Sequence, residues 1–329
     1  MLEIRLNQPG DLELREMEPL RSPGEEEIRL QTIYGGICGS DLSLFQGRLH
    51  HATYPLRPGH EILGKIVEAG KEVGYDIGTR VVILPNTFCG ECDFCLQGRT
   101  NLCRHKRSLG VNADGGFAEE WILPGRYVLP IPDNLPDEKA VLIEPFAVVV
   151  HAFNKVNITE GTAVLIVGCG NEGMLATCLA DHLGADVTAV DLKPSKREWV
   201  SRLGRVRAAK PEEIDEETFD VVIEAAGTKL SVEQSIQHVA PGGAMVMIGM
   251  TQEANIPVMQ MVRQEWTLYG SIIYNYPDDY LKSIQYLRDE RFKVDEVVSE
   301  ILPFSQAEKA YEKAMSGEYG KILLDFRGS

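Results

Sequence analysis

Over the first part of the chain, apolar residues recur at every second position in short runs: LEIRL from Leu2, DLELREME from Asp11 and EEIRLQTIYG ending at Gly35. A period of two predicts strands with one buried face. EILGKIVEAG and TRVVILP continue the pattern, broken at Gly70, Gly74 and Gly78, and FAEEWILP and YVLPIP read as edge strands limited by prolines. The period changes near residue 137, where DEKAVLIEPFAVVVHAFNKV has helical spacing. After Gly161, apolar strands alternate with amphipathic helices: AVLIV, EGMLATCLADHL, DVTAV, SKREWVSRL, DVVIEAAG, LSVEQSIQHV, AMVMIGM and TLYGSIIY. That alternation predicts an α/β doubly wound parallel sheet with helices on both faces. Two helical stretches, DDYLKSIQYLRDE and SQAEKAYEKAMSG, and a last strand, KILLDF, close the chain.

The strand AVLIV runs directly into Gly168-Cys169-Gly170-Asn171-Glu172-Gly173 and then a helix. A G-x-G-x-x-G turn in that setting is a dinucleotide site. Gly168 permits the tight turn, Gly170 lets the backbone approach a pyrophosphate, and Gly173 lets helix and strand pack closely; Asn171 and Glu172 lie within the turn. The next strand ends at Asp191, eighteen residues past Gly173. A carboxylate there accepts hydrogen bonds from ribose hydroxyls and repels a 2′-phosphate, which favours NAD. Lys193, Lys196 and Arg197 follow closely and leave NADP open; Lys196 and Gly249 complete the candidate cofactor set.

Seven cysteines are present, and Cys89, Cys92, Cys95 and Cys103 fall in one loop, 86–107. Four thiolates at short spacing close a tetrahedron around zinc and leave no open position, so that site is structural; an iron–sulfur cluster is the other reading. A second set is scattered: Cys38, His60 with Glu61 beside it, and Glu144 in the apolar stretch LIEPF. Singly, such residues are usually structural, but Cys, His and a carboxylate together suit a catalytic zinc with one exchangeable position. The formal charge of −16 supplies no basic footprint for nucleic acid or an anionic membrane. No apolar run approaches the roughly 20 residues of a membrane span, and the acidic, alternating start is unlike a signal peptide. The expectation is a cytoplasmic protein.

GHEILGKIVEAGKEV, residues 59–73, resembles the zinc signature of medium-chain alcohol dehydrogenases, G-H-E-x2-G-x5-G-x2-V, at every fixed position. ICGSD resembles that family's catalytic-cysteine turn, and EPFAVVVHA resembles the E-P-x-x-V-x-x-H-A stretch of its polyol branch, which includes sorbitol and threonine dehydrogenases. The resemblance implies a β-rich GroES-like catalytic domain at 1–146, an NAD-binding Rossmann domain at 147–279, and a C-terminal segment at 280–329 returning to the first. It implies two zinc ions per chain. Cys38 and His60 would be direct ligands of the catalytic ion, Glu144 a third contact directly or through water, and Glu61 an indirect or alternating ligand. Ser40 would start a proton relay.

Two departures bear on the substrate. Ser43 stands where some relatives carry a histidine, and Ile273-Tyr274 where sorbitol dehydrogenases carry Arg-Tyr. Tyr274 and Tyr276 are therefore the candidates for reading a substrate hydroxyl, with Arg48, His50 and His51 on the loop LFQGRLHHATYP. The expected function is NAD-linked interconversion of a secondary alcohol, polyol or sugar-like, and its ketone. Rival readings are an amino-alcohol or aldose dehydrogenase, a zinc-free reductase of the same superfamily, and a non-catalytic nucleotide-binding or redox-sensing protein. The edge strand TLYGSIIY could pair with its copy, so a homodimer or homotetramer is expected.

Overall fold

The computed structural model describes residues 1–49 and 51–328. His50, one of the candidate substrate-reading residues, lies outside the described residues. Contacts divide the chain into two units. The first holds Met1–Glu144, Val298–Gly317 and the end of the chain from Lys321; the second holds Pro145–Val297 and Glu318–Gly320.

In the first unit, β1 (Leu2–Gln8) and β2 (Asp11–Glu16) form an antiparallel hairpin that turns at Gly10 with φ +80°. β3 (Glu27–Gly36) leads into the short helix α1 (Gly39–Phe45). β4 (Glu61–Ala69) and β5 (Arg80–Ile83) follow, then α2 (Asp93–Leu96) inside the cysteine loop, β6 (Glu120–Pro124) and β7 (Val128–Pro130). β3 is the spine of this sheet and pairs antiparallel with both β4 and β6. Its alternating side chains bury Ile28 and Leu30, and Ile62, Leu63, Val81 and Trp121 are buried on the other strands of the sheet. The helix expected over residues 137–156 is two helices, α3 (Asp137–Ala140) and α4 (Ile143–Phe153). Pro145 sits in the first turn of α4, where a missing N–H costs no helical bond.

In the second unit, β8 (Ala163–Val167), α5 (Asn171–His182), β9 (Asp186–Val190), α6 (Pro194–Val200) and β10 (Val206–Ala209) alternate. β11 (Phe219–Glu224), α7 (Lys229–Ser235), β12 (Val239–Met247), α8 (Val258–Gln264), β13 (Thr267–Gly270) and α9 (Asp278–Arg288) complete it. Among the described residues the strands form a parallel sheet ordered β10-β9-β8-β11-β12-β13. The order reverses between β8 and β11, and the loops leaving those strands flank the crevice where such sheets bind ligands. Leu165, Val190, Phe219, Val222, Ile236, Met245 and Trp266 fill the core against one sheet face.

β14 (Val298–Pro303), α10 (Ala307–Ser316) and β15 (Lys321–Asp325) belong to the first unit, where β15 pairs antiparallel with β3 and parallel with β14. α10 stops at Gly317, whose φ of +68° is the left-handed helix cap that glycine adopts without strain. The segment expected to return from residue 280 divides: residues 280–297 lie with the second unit and the return begins at Val298. The expected strand TLYGSIIY is shorter, ending at Gly270. Among the described residues, no helix is long and apolar enough to cross a membrane.

Gly70 packs its backbone against the β2–β3 connection. A Cβ there would stand 2.0 Å from the Gly24 carbonyl oxygen and 2.3 Å from that of Glu25, whereas one at Gly74 would meet nothing within 4 Å. Gly70→Ala should lower the unfolding free energy by about 1–3 kcal/mol in denaturant melts. Gly74→Ala should stay within about 0.5 kcal/mol of the parent, and equal effects would contradict this packing.

Candidate functional site

The turn from β3 into α1 and the turn into β4 bring three donors together. Ligand atoms of Cys38, His60 and Glu61 all lie within 4.8 Å of one another, with His60 and Glu61 buried. Asp41 organises the group. One of its carboxylate oxygens accepts the Cys38 backbone N–H at 2.9 Å; the other accepts that of Gly59 at 3.3 Å and faces Nδ1 of His60 at 3.5 Å. A proton on Nδ1 leaves Nε2 as the donor atom, and Ser40 Oγ lies 3.2 Å from it. Burial lowers the proton affinity of His60, but Asp41 and Cys38 outweigh it and hold the pKa well above the ordinary histidine range. Two anionic groups that bind a proton this way also favour a divalent cation, so the donor set fits zinc.

Glu61 has a further partner. Lys321, the first residue of β15, donates to both of its carboxylate oxygens at 2.6 Å and to the Ile37 carbonyl at 3.4 Å. The lysine is 0% exposed and the glutamate 1%. Gly36, opposite Glu61 in the β3–β4 ladder, makes the room: a Cβ there would come within 2.1 Å of the carboxylate. Glu144, at the start of α4, is 6% exposed and lies outside the three-donor group.

The cysteine loop forms a second group. Sγ of Cys89 lies 3.9 Å from that of Cys95 and 3.6 Å from that of Cys103, and Cys92 and Cys95 are 3.6 Å apart. Sulfurs bound to one tetrahedral zinc at about 2.3 Å stand about 3.8 Å apart, so the four fit that ion. Backbone N–H groups of Cys89, Cys92 and His105 point at these sulfurs, which suits thiolates. The Arg104 backbone N–H lowers the Cys92 thiol, while burial raises Cys95. Four thiolates this close would need a shared cation.

The glycine turn has the geometry of a dinucleotide cradle. Gly168 adopts φ +90°, a Cβ on Gly173 would strike the Gly168 carbonyl oxygen at 1.8 Å, and beside Gly170 there is open space. α5 starts at Asn171, with Glu172 in its first turn. β9 ends one residue earlier than expected, at Val190, so Asp191 follows the strand directly, and its carboxylate accepts the backbone N–H of Cys169 and of Lys193, each at 2.8 Å. Burial lowers the ammonium pKa of Lys196, with Asp191 offsetting part of the shift. Gly249 packs on Gly227: a Cβ there would come within 2.3 Å of the Gly227 nitrogen and 2.6 Å of buried Glu224.

The substrate candidates are less gathered. Tyr274 is 2% exposed, its ring edge-on to Tyr280 at 4.8 Å, and Tyr276 meets the same ring at 6.1 Å. Ile273 holds φ +41°, a conformation that a β-branched residue adopts only under strain. Arg48 and His51 lie on the loop after α1 and are both exposed. Sequence reasoning missed Asp41 and Lys321. Asp41 stands inside the quoted ICGSD motif, where its acid type two residues from a turn was the signal. Lys321 gave none, being 260 positions from its partner.

Residues 24–133 match the family of alcohol dehydrogenase GroES-like domains, and residues 173–289 match the zinc-binding dehydrogenases. The chain is 31% identical to the L-galactonate-5-dehydrogenase of Escherichia coli strain K12 over 93% of each chain. It is 30% identical to the sorbitol dehydrogenase of Bacillus subtilis strain 168, over 90% of this chain and 89% of that one. Its structure superimposes with a TM-score of 0.91 on a zinc-binding dehydrogenase of Sinorhizobium meliloti 1021 bound to NADP, at 28% identity and 98% coverage of both.

The buried pair makes a stability prediction. Lys321→Met strands the Glu61 carboxylate in the core and should cost about 3–5 kcal/mol in denaturant unfolding. Adding Glu61→Gln should recover much of that loss. A Lys321→Met protein as stable as the parent would show that the pair does not hold these strands.

Proposed function

The chain belongs to the zinc-dependent alcohol dehydrogenases, in the polyol branch of these NAD(P)-linked oxidoreductases, and within it we propose that this enzyme interconverts a secondary alcohol of polyol or sugar-acid type and its ketone with NAD. The observation that carries this reading is the Cys38, His60 and Glu61 group with Asp41 behind it. Bound there, zinc would supply the Lewis acidity that makes an alcohol proton removable near neutral pH, and a bound nicotinamide would supply the hydride acceptor.

The residues divide the remaining work. Cys38 and His60 would hold the ion. Glu61 stands at ligand distance with its charge already balanced by Lys321, which suits it to a reserve ligand role. Glu144 is the carboxylate left for a direct or water-bridged third contact. Ser40, next to His60 Nε2, takes the alcohol proton and passes it on. Asp191 reads the adenosine ribose, with the Gly168–Gly173 turn and the α5 N-terminus on the pyrophosphate. The names of the two relatives, a galactonate and a sorbitol dehydrogenase, support a polyhydroxylated substrate.

A twofold dimer through β13 belongs to the same proposal. β13 pairs on one side with β12 and ends the sheet order, and α8 exposes Val258, Met259 and Val262.

Cys38→Ser should lower kcat by at least about a thousandfold, retain NADH binding, and hold about one zinc per chain where the parent holds about two. Turnover retained with zinc still bound would remove Cys38 from the mechanism. A panel of polyols, sugar acids, aldoses and amino alcohols, followed by nicotinamide absorbance, should give its highest kcat/KM on a polyol or sugar acid; a preference for threonine would favour the amino-alcohol reading. Asp191→Gly should shift preference toward NADP, and an unchanged preference would show that Asp191 does not read the ribose. Light scattering should return twice the chain mass or a multiple of it, and a monomer would exclude the β13 pairing.

A further inference from the structure

Three cations follow the ribose-reading acid in sequence: Lys193, Lys196 and Arg197. A 2′-phosphate carries close to two negative charges and needs such groups free to turn toward it. In the folded chain each is engaged. Arg197 donates to the backbone carbonyls of Asp191 and Leu192, both at 2.8 Å, so its guanidinium ties down the turn after β9. Lys196 is buried and donates to the carbonyl of Tyr319. Lys193 pairs with the Glu318 carboxylate at 3.1 Å, and the other Glu318 oxygen accepts the hydroxyl of Ser195.

Both Glu318 and Tyr319 come from the short segment between α10 and β15, and Glu318–Gly320 is part of the second unit. That segment therefore occupies the polar groups at the one place where a 2′-phosphate would differ from a hydroxyl. Lys193 is the most telling of them. It is two residues past Asp191, its side chain is 43% exposed, and it is long enough to swing toward a ligand at that acid. Glu318 holds it elsewhere.

We infer that Glu318 is a second cofactor-selecting carboxylate, which disfavours NADP by sequestering Lys193. The inference rests on the NAD reading given above. An exposed ion pair is weak, so the effect of Glu318 is smaller than that of an acid contacting the ribose directly. Asp191 sets the preference and Glu318 sharpens it.

The test compares NADPH and NADH binding, by energy transfer from protein to nicotinamide fluorescence, for the parent, Glu318→Gln, Lys193→Ala and the double variant. Glu318→Gln keeps the size of the side chain and removes its charge. The ratio of NADPH to NADH affinity should rise about three- to tenfold in Glu318→Gln. That rise should shrink at high salt and disappear when Lys193→Ala is added. The ratio of 2′,5′-ADP to 5′-AMP affinity, read by displacement of bound NADH since neither ligand carries a nicotinamide, should shift alike. An unchanged ratio, or a rise that survives Lys193→Ala, would overturn the role of Glu318 and leave the NAD reading standing. A parent protein that binds NADPH more tightly than NADH would overturn the NAD reading itself and this inference with it.

Discussion

A lysine and a glutamate buried to 0% and 1% exposure can stand in a protein core only together, and the Glu61–Lys321 pair sets the terms for everything around the candidate metal site. Three strands meet at it. Glu61 opens β4, Lys321 opens β15, and Gly36 at the end of β3 gives up its side chain so that the carboxylate fits. Lys321 also reaches the Ile37 carbonyl, and the Ile37 N–H bonds to the Ile322 carbonyl at 3.0 Å. The residue before Cys38 is thereby fixed from the same strand that fixes the residue after His60. The elements that carry the two candidate ligands, Cys38 and His60, are thus tied together at one ion pair.

The second unit solves a parallel problem with backbone groups. The carboxylate of Asp191 is held by two N–H donors of its own neighbourhood, so it is oriented before any ligand arrives. The glycines at 168 and 173 allow the turn to close to contact distance, which no side chain would permit. Both sites thus follow one rule: the acidic group that matters is fixed by donors around it, and the donors are fixed by strand ends.

Much of this was legible in the sequence because it is local. The GHE turn, the cysteine spacing and the glycine turn each compress a function into a few neighbouring residues, and the alternation of strand and helix after Gly161 announced the parallel sheet. What escaped was non-local. Lys321 looks like the polar start of an ordinary strand, and nothing near it names a partner 260 positions away. Glu318 is equally silent about Lys193. The helix across 137–156 was read as one because its apolar spacing continues through residues 141–142, where the chain in fact leaves α3 and starts α4. The strand at TLYGSIIY was read too long because β-branched residues favour extended backbone, while Ile273 adopts φ +41°.

The central claim is that Cys38, His60 and a carboxylate hold one metal with an exchangeable position, distinct from the four-cysteine group. Cobalt exchange reads both sites in one spectrum, since thiolate number sets the charge-transfer intensity and coordination geometry sets the visible bands. The account predicts two cobalt signatures, one of them from a site with a single thiolate whose visible bands shift when a polyol or imidazole is added. A spectrum showing only the four-thiolate site, unmoved by either addition, would contradict it.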